Sequence, residues 1–281
     1  MDRITKTDRQ KARKEEDKTF TSVIIKRNDE ATRHPDDTLE IAMHEGLEQV
    51  DRTNFSLFLS SFAAGLILGF VAMLVALAFQ LPIENSLLSR VAVACVYPLG
   101  FIICILSGSQ LFTEHTATVF YPFLDKKIDF KMLVIVWAVI IAGNIAGTFC
   151  SSFLIYHADY IIEGKEGFLG VYNHLIHFSF FEVLYSAILA GWLMAQGGWL
   201  VLSTTTTSIK VICIYIVTFI IGIGGFHHSI AGSAEIFMGI FHSSVPEFQS
   251  GIKFILASLA GNLVGGSLFV AILNYSHIRK A

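Results

Sequence analysis

The segment GGFHHSIAG, residues 224–232, sets two adjacent histidines inside a run that is otherwise apolar enough to cross a bilayer. Val211 to Ile223 leads into it and Ile236 to Phe241 follows. Histidine titrates nearest neutral pH, so at membrane depth it is suited to giving and taking a proton. His228 is the expected proton donor of a pathway, with His227 as an accessory. Adjacent helical residues point about 100° apart, so one narrow path does not face both. A second polar break, GSQLFTEHT at 108–116, interrupts another apolar run and carries Thr113 and Glu114. Asn144 in AGNIAG (142–147) and Asn262 in AGNLVG (260–265) complete the polar set. No metal centre is expected, because the paired histidines are not i, i+4 and no thiolate or carboxylate stands at ligand spacing. There is no P-loop, HExxH or nucleophile motif, so the chain is not read as an enzyme, and no cofactor is expected.

These residues need spans to hold them. The chain has 281 residues, 53% of them hydrophobic and 15% charged, against about 25% charged in a soluble domain. Residues 1–54 hold 11 of the 20 Lys/Arg and 13 of the 23 Asp/Glu, which leaves the rest very poor in charge. Six apolar regions follow, near 55–80, 91–123, 132–155, 174–195, 210–241 and 252–275. The second and fifth are too long for one simple helix and are the two with breaks. The expected fold is an all-α membrane protein with a channel domain over 55–276. Ahead of it stand a disordered charged tail (1–35) and an amphipathic helix (36–54) on the membrane surface or against the bundle. Leu39, Met43, Leu47 and Val50 supply that helix's apolar stripe and Thr38 its cap. A short carboxy-terminal segment, 277–281, follows the last span. Lys126, Lys127, Lys131, Lys210, Arg279 and Lys280 fall on the side of the termini, and Arg90, Lys165 and Lys253 on the other. The positive-inside rule then makes both termini cytoplasmic. The four cysteines all lie in apolar runs and read as packing residues.

The halves echo one another. Asn144 and Asn262 are 118 residues apart, Phe112 and Phe226 are 114 apart, and the Gly65/Gly69 pair returns as Ala187/Gly191. Three features in one order at nearly one offset predict a three-plus-three duplication. Three spans is an odd number, so the second half enters the membrane inverted, which places a site between the halves near the midplane. Irregular backbone at that depth must line protein or a watery path. Thr113 and Ser229 are placed to cap the half-helices after each break, whose positive ends favour anions over cations. Glu182 and Glu235 are expected to face the bundle in structural roles. The glycine-rich spans are too many for one seam, so some are expected between protomers.

LFTEHTATVFYP, AGNIAG, ILAGWLMA, HHSIAGSAEIFMGIF and AGNLVGG, in this order, resemble the formate/nitrite transporter family, most closely its divergent YfdC-type branch, from about residue 40 to 276. The resemblance implies an aquaporin-like six-helix protomer, a homopentamer in a bacterial inner membrane, and channel-like passage of small monovalent anions or their acids, such as formate, nitrite or acetate. It places the pore histidine on His228, the loop threonine on Thr113, the constriction on Leu111 and Phe112, and the sixth-span asparagine on Asn262; Phe226, beside the second break, is expected at a second constriction. The family's acidic residue before the histidine is His227 here. Its lysine seven residues before Glu182 is Leu175, and that lysine's asparagine partner is Gly191. The anion attractor is therefore replaced by an apolar side chain, unless His174 or His177, nearby at a vestibule, takes its place. A non-conducting scaffold or sensor and a neutral-solute channel are the alternative readings. No nucleic-acid partner is expected.

Overall fold

The computed structural model describes residues 33–279, and the charged tail up to residue 32 lies outside the described residues. Among the described residues all regular structure is helical. α1 (Pro35–Asp51) starts with His34, not Thr38, as its cap: His34 Nδ1 accepts from Asp36 N, and Thr38 is buried one turn into the helix. Leu39, Met43 and Leu47 are buried, so α1 packs its stripe on the bundle rather than lying free on a membrane surface. α2 (Asn54–Phe79) follows, capped by Thr53 Oγ1, which accepts from Ser56 N. α3 (Ser86–Leu106) runs to the first break, and the short α4 (Phe112–Thr118) and α5 (Phe120–Leu124) come after it.

α6 (Phe130–His157) is long and apolar, and α7 (Asp159–Ile162) is a single turn. The fourth apolar region begins later than its hydropathy suggests. α8 (Lys165–His177) ends at an extended Phe178, and Ser179 then starts α9 (Phe180–Leu202) with a capping box. Glu182 is the far half of that box: its Oε2 accepts from Ser179 N at 2.8 Å and its side chain is exposed, so it does not face the bundle as expected. α10 (Thr207–Gly224) reaches the second break and α11 (Ser229–His242) leaves it. α12 (Phe248–Gly266) passes through a π-helical stretch, Ser267–Ile272, into α13 (Leu273–Ile278).

Among the described residues, six helices are long and apolar enough to cross a membrane: α2, α3, α6, α9, α10 and the helix from Phe248 to Ile278. Their outward faces carry exposed Phe70, Leu99, Ile103, Phe153, Leu189 and Ile216, an arrangement lipid solvates and water does not. Cys95 is also exposed and Cys104 buried, so the cysteines are not uniformly packing residues. One end of the bundle gathers the α1 end of the chain, the α9–α10 loop and the carboxy-terminal helix. Arg33 N donates to Ser203 O at 3.0 Å, Tyr275 OH donates to Asp125 at 2.8 Å, and Lys127 pairs with the same carboxylate at 3.1 Å.

The glycine stripes serve the inside of the protomer. A Cβ on Gly65 would strike the backbone carbonyl of Asn144, and one on Gly191 would strike that of Asn262. α2 is thereby locked onto α6 and α9 onto α12 at backbone contact. The sequence expectation that some of these stripes pack between protomers does not hold for these two seams.

Candidate functional site

Each break is a turn opened by a left-handed glycine, Gly108 at φ +70° and Gly225 at φ +64°, a conformation that excludes most side chains. Each is then pinned by one buried asparagine. Asn144 Oδ1 accepts from Phe112 N at 2.9 Å, and its Nδ2 donates to Ser61 O (2.7 Å) and Gln110 O (2.9 Å). Asn262 Oδ1 accepts from Ser229 N at 2.7 Å, and its Nδ2 donates to Ala187 O (2.7 Å) and His227 O (3.1 Å). Both asparagines are fully buried. They satisfy the backbone groups that an interrupted helix frees, which is the condition for irregular backbone at membrane depth.

The first turn of each half-helix differs from expectation. Leu111 and His228 stand at the N-cap positions, and Thr113 and Ser229 are already helical. His228 Nδ1 accepts from Ala231 N at 3.2 Å, so it caps α11 with its ring. That bond requires a lone pair on Nδ1, which puts the proton of the neutral ring on Nε2. Nε2 lies 2.6 Å from Thr113 Oγ1, and Nε2–H therefore donates to the threonine oxygen. Thr113 is freed from capping to hold that bond and keeps its own hydroxyl proton to give. His228 is 2% and Thr113 0% exposed, so the pair is sealed from bulk water. The Phe101 ring meets the imidazole edge to face at 4.9 Å and fixes its tilt.

His227 is turned elsewhere. Its amide donates to Ser186 Oγ at 3.1 Å, and its ring packs on Phe178 and Phe254, both at 5.2 Å. Its buried Nδ1 has no hydrogen-bond partner. Glu114 is partly buried on α4 against Gly198 of α9, apart from the His228 ring. Leu111 and Phe112 are completely enclosed, 0% and 1% exposed.

A cavity of about 450 Å³ is lined in part by His228. Of the residues picked out by sequence, His174, Leu175, Phe226, His227 and Glu235 line it with His228. Thr113, Leu111, Phe112, Asn144, Asn262, Glu114 and His177 do not. Thr113 connects to the lining through its contact with His228. Leu175 is 6% exposed, an apolar wall in the chamber. His174 lies outside the spans; burial, and then the neighbouring His177, hold its ring below the usual histidine range. Arg90 and Tyr97, both from α3, also face the cavity and were not singled out by sequence. They sit more than a hundred residues from His228, and nothing local marks them. The fold alone brings them there.

Among the described residues, six helices apolar enough to span a membrane pack around a cavity lined by buried histidines, the architecture of a polytopic membrane protein. A profile described as Formate/nitrite transporter matches residues 36–276, and the chain belongs to that family. It is 29% identical over 248 residues to the "Inner membrane protein YfdC" of Escherichia coli (85% of this chain, 79% of that protein). It is 28% identical over 254 residues to the "Uncharacterized transporter YrhG" of Bacillus subtilis (89% and 95%). Among solved structures, an "FNT family ion channel" superposes with a TM-score of 0.77 at 18% identity, covering 85% of this chain and 98% of that one. A "Pentameric formate channel with formate bound" superposes with a TM-score of 0.70 at 20% identity (79% and 96%).

Proposed function

We propose that the chain conducts small weak acids such as formate, nitrite or acetate across the bacterial inner membrane, and that His228 and Thr113 couple passage to a proton. The observation that carries this is the 2.6 Å contact between Thr113 and His228, which lines the cavity. An isolated anion in a low-dielectric constriction is very unfavourable, whereas its neutral acid is not. In this reading the anion enters the chamber and reaches the pair. A proton from water on the entry side first converts the His228 ring to imidazolium. Nε2–H then passes to the Thr113 oxygen as the threonine releases its own hydroxyl proton to the anion, which leaves His228 neutral and Thr113 intact. The neutral acid then crosses the enclosed Leu111–Phe112 packing and loses its proton beyond it. Phe226 narrows the chamber on the near side.

The repeated asparagine geometry supports the inverted three-plus-three architecture. Gly108 and Gly225, Gln110 and His227, and Phe112 and Ser229 each differ by 117 residues and make matching contacts. The charge bias keeps both termini in the cytoplasm. Homopentamer assembly is supported by the pentameric structural neighbour, and native mass spectrometry in mild detergent checks it, monomers alone counting against it. Transport is tested by formate uptake into proteoliposomes. Uptake should rise as the outside is acidified, because the neutral fraction grows about tenfold per pH unit above the acid's pKa. Flux that is the same at mildly acidic and alkaline pH refutes proton-coupled passage.

A further inference from the structure

The chamber's wall holds a carboxylate where an anion path calls for a cation. Glu235 stands six residues into α11, about 9 Å along the axis from its start, and lines the same cavity as His228. Its carboxyl has no ion pair and no hydrogen bond among the described residues. Arg90 faces the cavity too but does not reach it. The remaining titratable or charged groups around the chamber are Tyr97 from α3, His174 from α8, and His227 and His228 from the break. α2, α10 and α12 present only apolar side chains or glycine, such as Val75, Ile221 and Phe254. A structural carboxylate at this depth would be paired, since burial of a lone charge is costly. Glu235 is instead left free toward the space a substrate must cross, and the chamber's one lining cation among the described residues, Arg90, forms no ion pair with it.

The structure assigns Glu235 as a specificity-determining residue that selects the protonation state of the substrate. When ionised, it repels anions from the chamber. When protonated, it presents a hydrogen-bond donor and no charge, and the chamber admits a monocarboxylic acid. The pathway thus closes to anions in alkaline conditions by the wall of the chamber, before the His228–Thr113 pair is reached. This rests on the reading of the cavity as the vestibule of an acid pathway.

The test is formate flux in proteoliposomes of the full chain, comparing wild type, Glu235→Gln and Glu235→Asp at mildly acidic and alkaline pH. Glu235→Gln keeps shape and hydrogen bonding but cannot ionise. It should raise the alkaline-to-acid flux ratio about tenfold, the factor set by about 1.4 kcal/mol of like-charge repulsion, while Glu235→Asp keeps the wild-type ratio. Glu235→Met carries the same test if the glutamine variant fails to assemble by size exclusion. An unchanged ratio in the uncharged variants, or an equal rise in Glu235→Asp, overturns the assignment while wild-type acid flux leaves the transport reading standing. Absence of wild-type flux at any pH overturns both.

Discussion

Replacing Thr113 by valine removes one oxygen and almost no volume, which isolates the contact on which the mechanism turns. The wild-type hydroxyl sits 2.6 Å from His228 Nε2, and both residues are sealed, at 0% and 2% exposure. Valine leaves Nε2–H facing a methyl group with no water to replace the lost acceptor. An orphaned buried donor costs about 1–3 kcal/mol. At tenfold per 1.4 kcal/mol, acid-driven formate flux should fall by roughly 5- to 150-fold if that cost is felt where the proton passes. Thr113→Ser keeps the oxygen and should retain most of the flux. The assay is formate uptake into proteoliposomes across an inward proton gradient, with size exclusion confirming equal assembly. A valine variant that assembles and conducts like wild type refutes the threonine–histidine relay.

Leu175→Lys should increase formate or acetate flux, most at alkaline pH, because it adds a second cation to Arg90 in a chamber whose wall is apolar at that point and which holds the unpaired Glu235 carboxyl; stopped-flow uptake at two pH values reads this out, and unchanged flux in an assembled variant means the added cation is not limiting. Asn144→Ala strips three hydrogen bonds from the first break and should cost about 3–9 kcal/mol, at about 1–3 per orphaned buried group. A thermal melt in detergent should show a clear drop, with Asn262→Ala behaving alike, and an undiminished melt denies these asparagines the role of holding the breaks.

The two asparagines were legible because small residues flank each one in a repeated AGNxxG pattern, and small neighbours at four-residue spacing signal backbone contact. The register of the repeat was less so. Matching like residues pairs Gly65 with Ala187, but the seams equate Gly65, which meets Asn144, with Gly191, which meets Asn262. Composition repeats one turn out of step with contact there, because any small residue serves on a small-xxx-small face. Thr113 and Ser229 looked like caps by residue type, yet the chain gives capping of α11 to a histidine ring and spends the threonine on a partner 115 residues away. No local pattern encodes that choice. The α8–α9 boundary was hidden for a related reason: Phe178 and Ser179 turn the chain within a mixed stretch of apolar and histidine residues, and the Ser179–Glu182 box marks the restart. Glu235 looked structural, since a sequence shows that a carboxylate lies in an apolar helix but not that it faces a cavity without a partner.

The central claim is that protons and substrate cross together at His228. The most direct measurement is formate-dependent proton movement into proteoliposomes, by an internal pH dye, for wild type and His228→Asn. The account predicts internal acidification coupled to formate entry in wild type, and its strong reduction in the asparagine variant, which keeps hydrogen bonding but cannot donate and recover a proton. Equal acidification in both, with both assembled, contradicts the account. So does a wild type no different from protein-free vesicles, which would favour the scaffold reading.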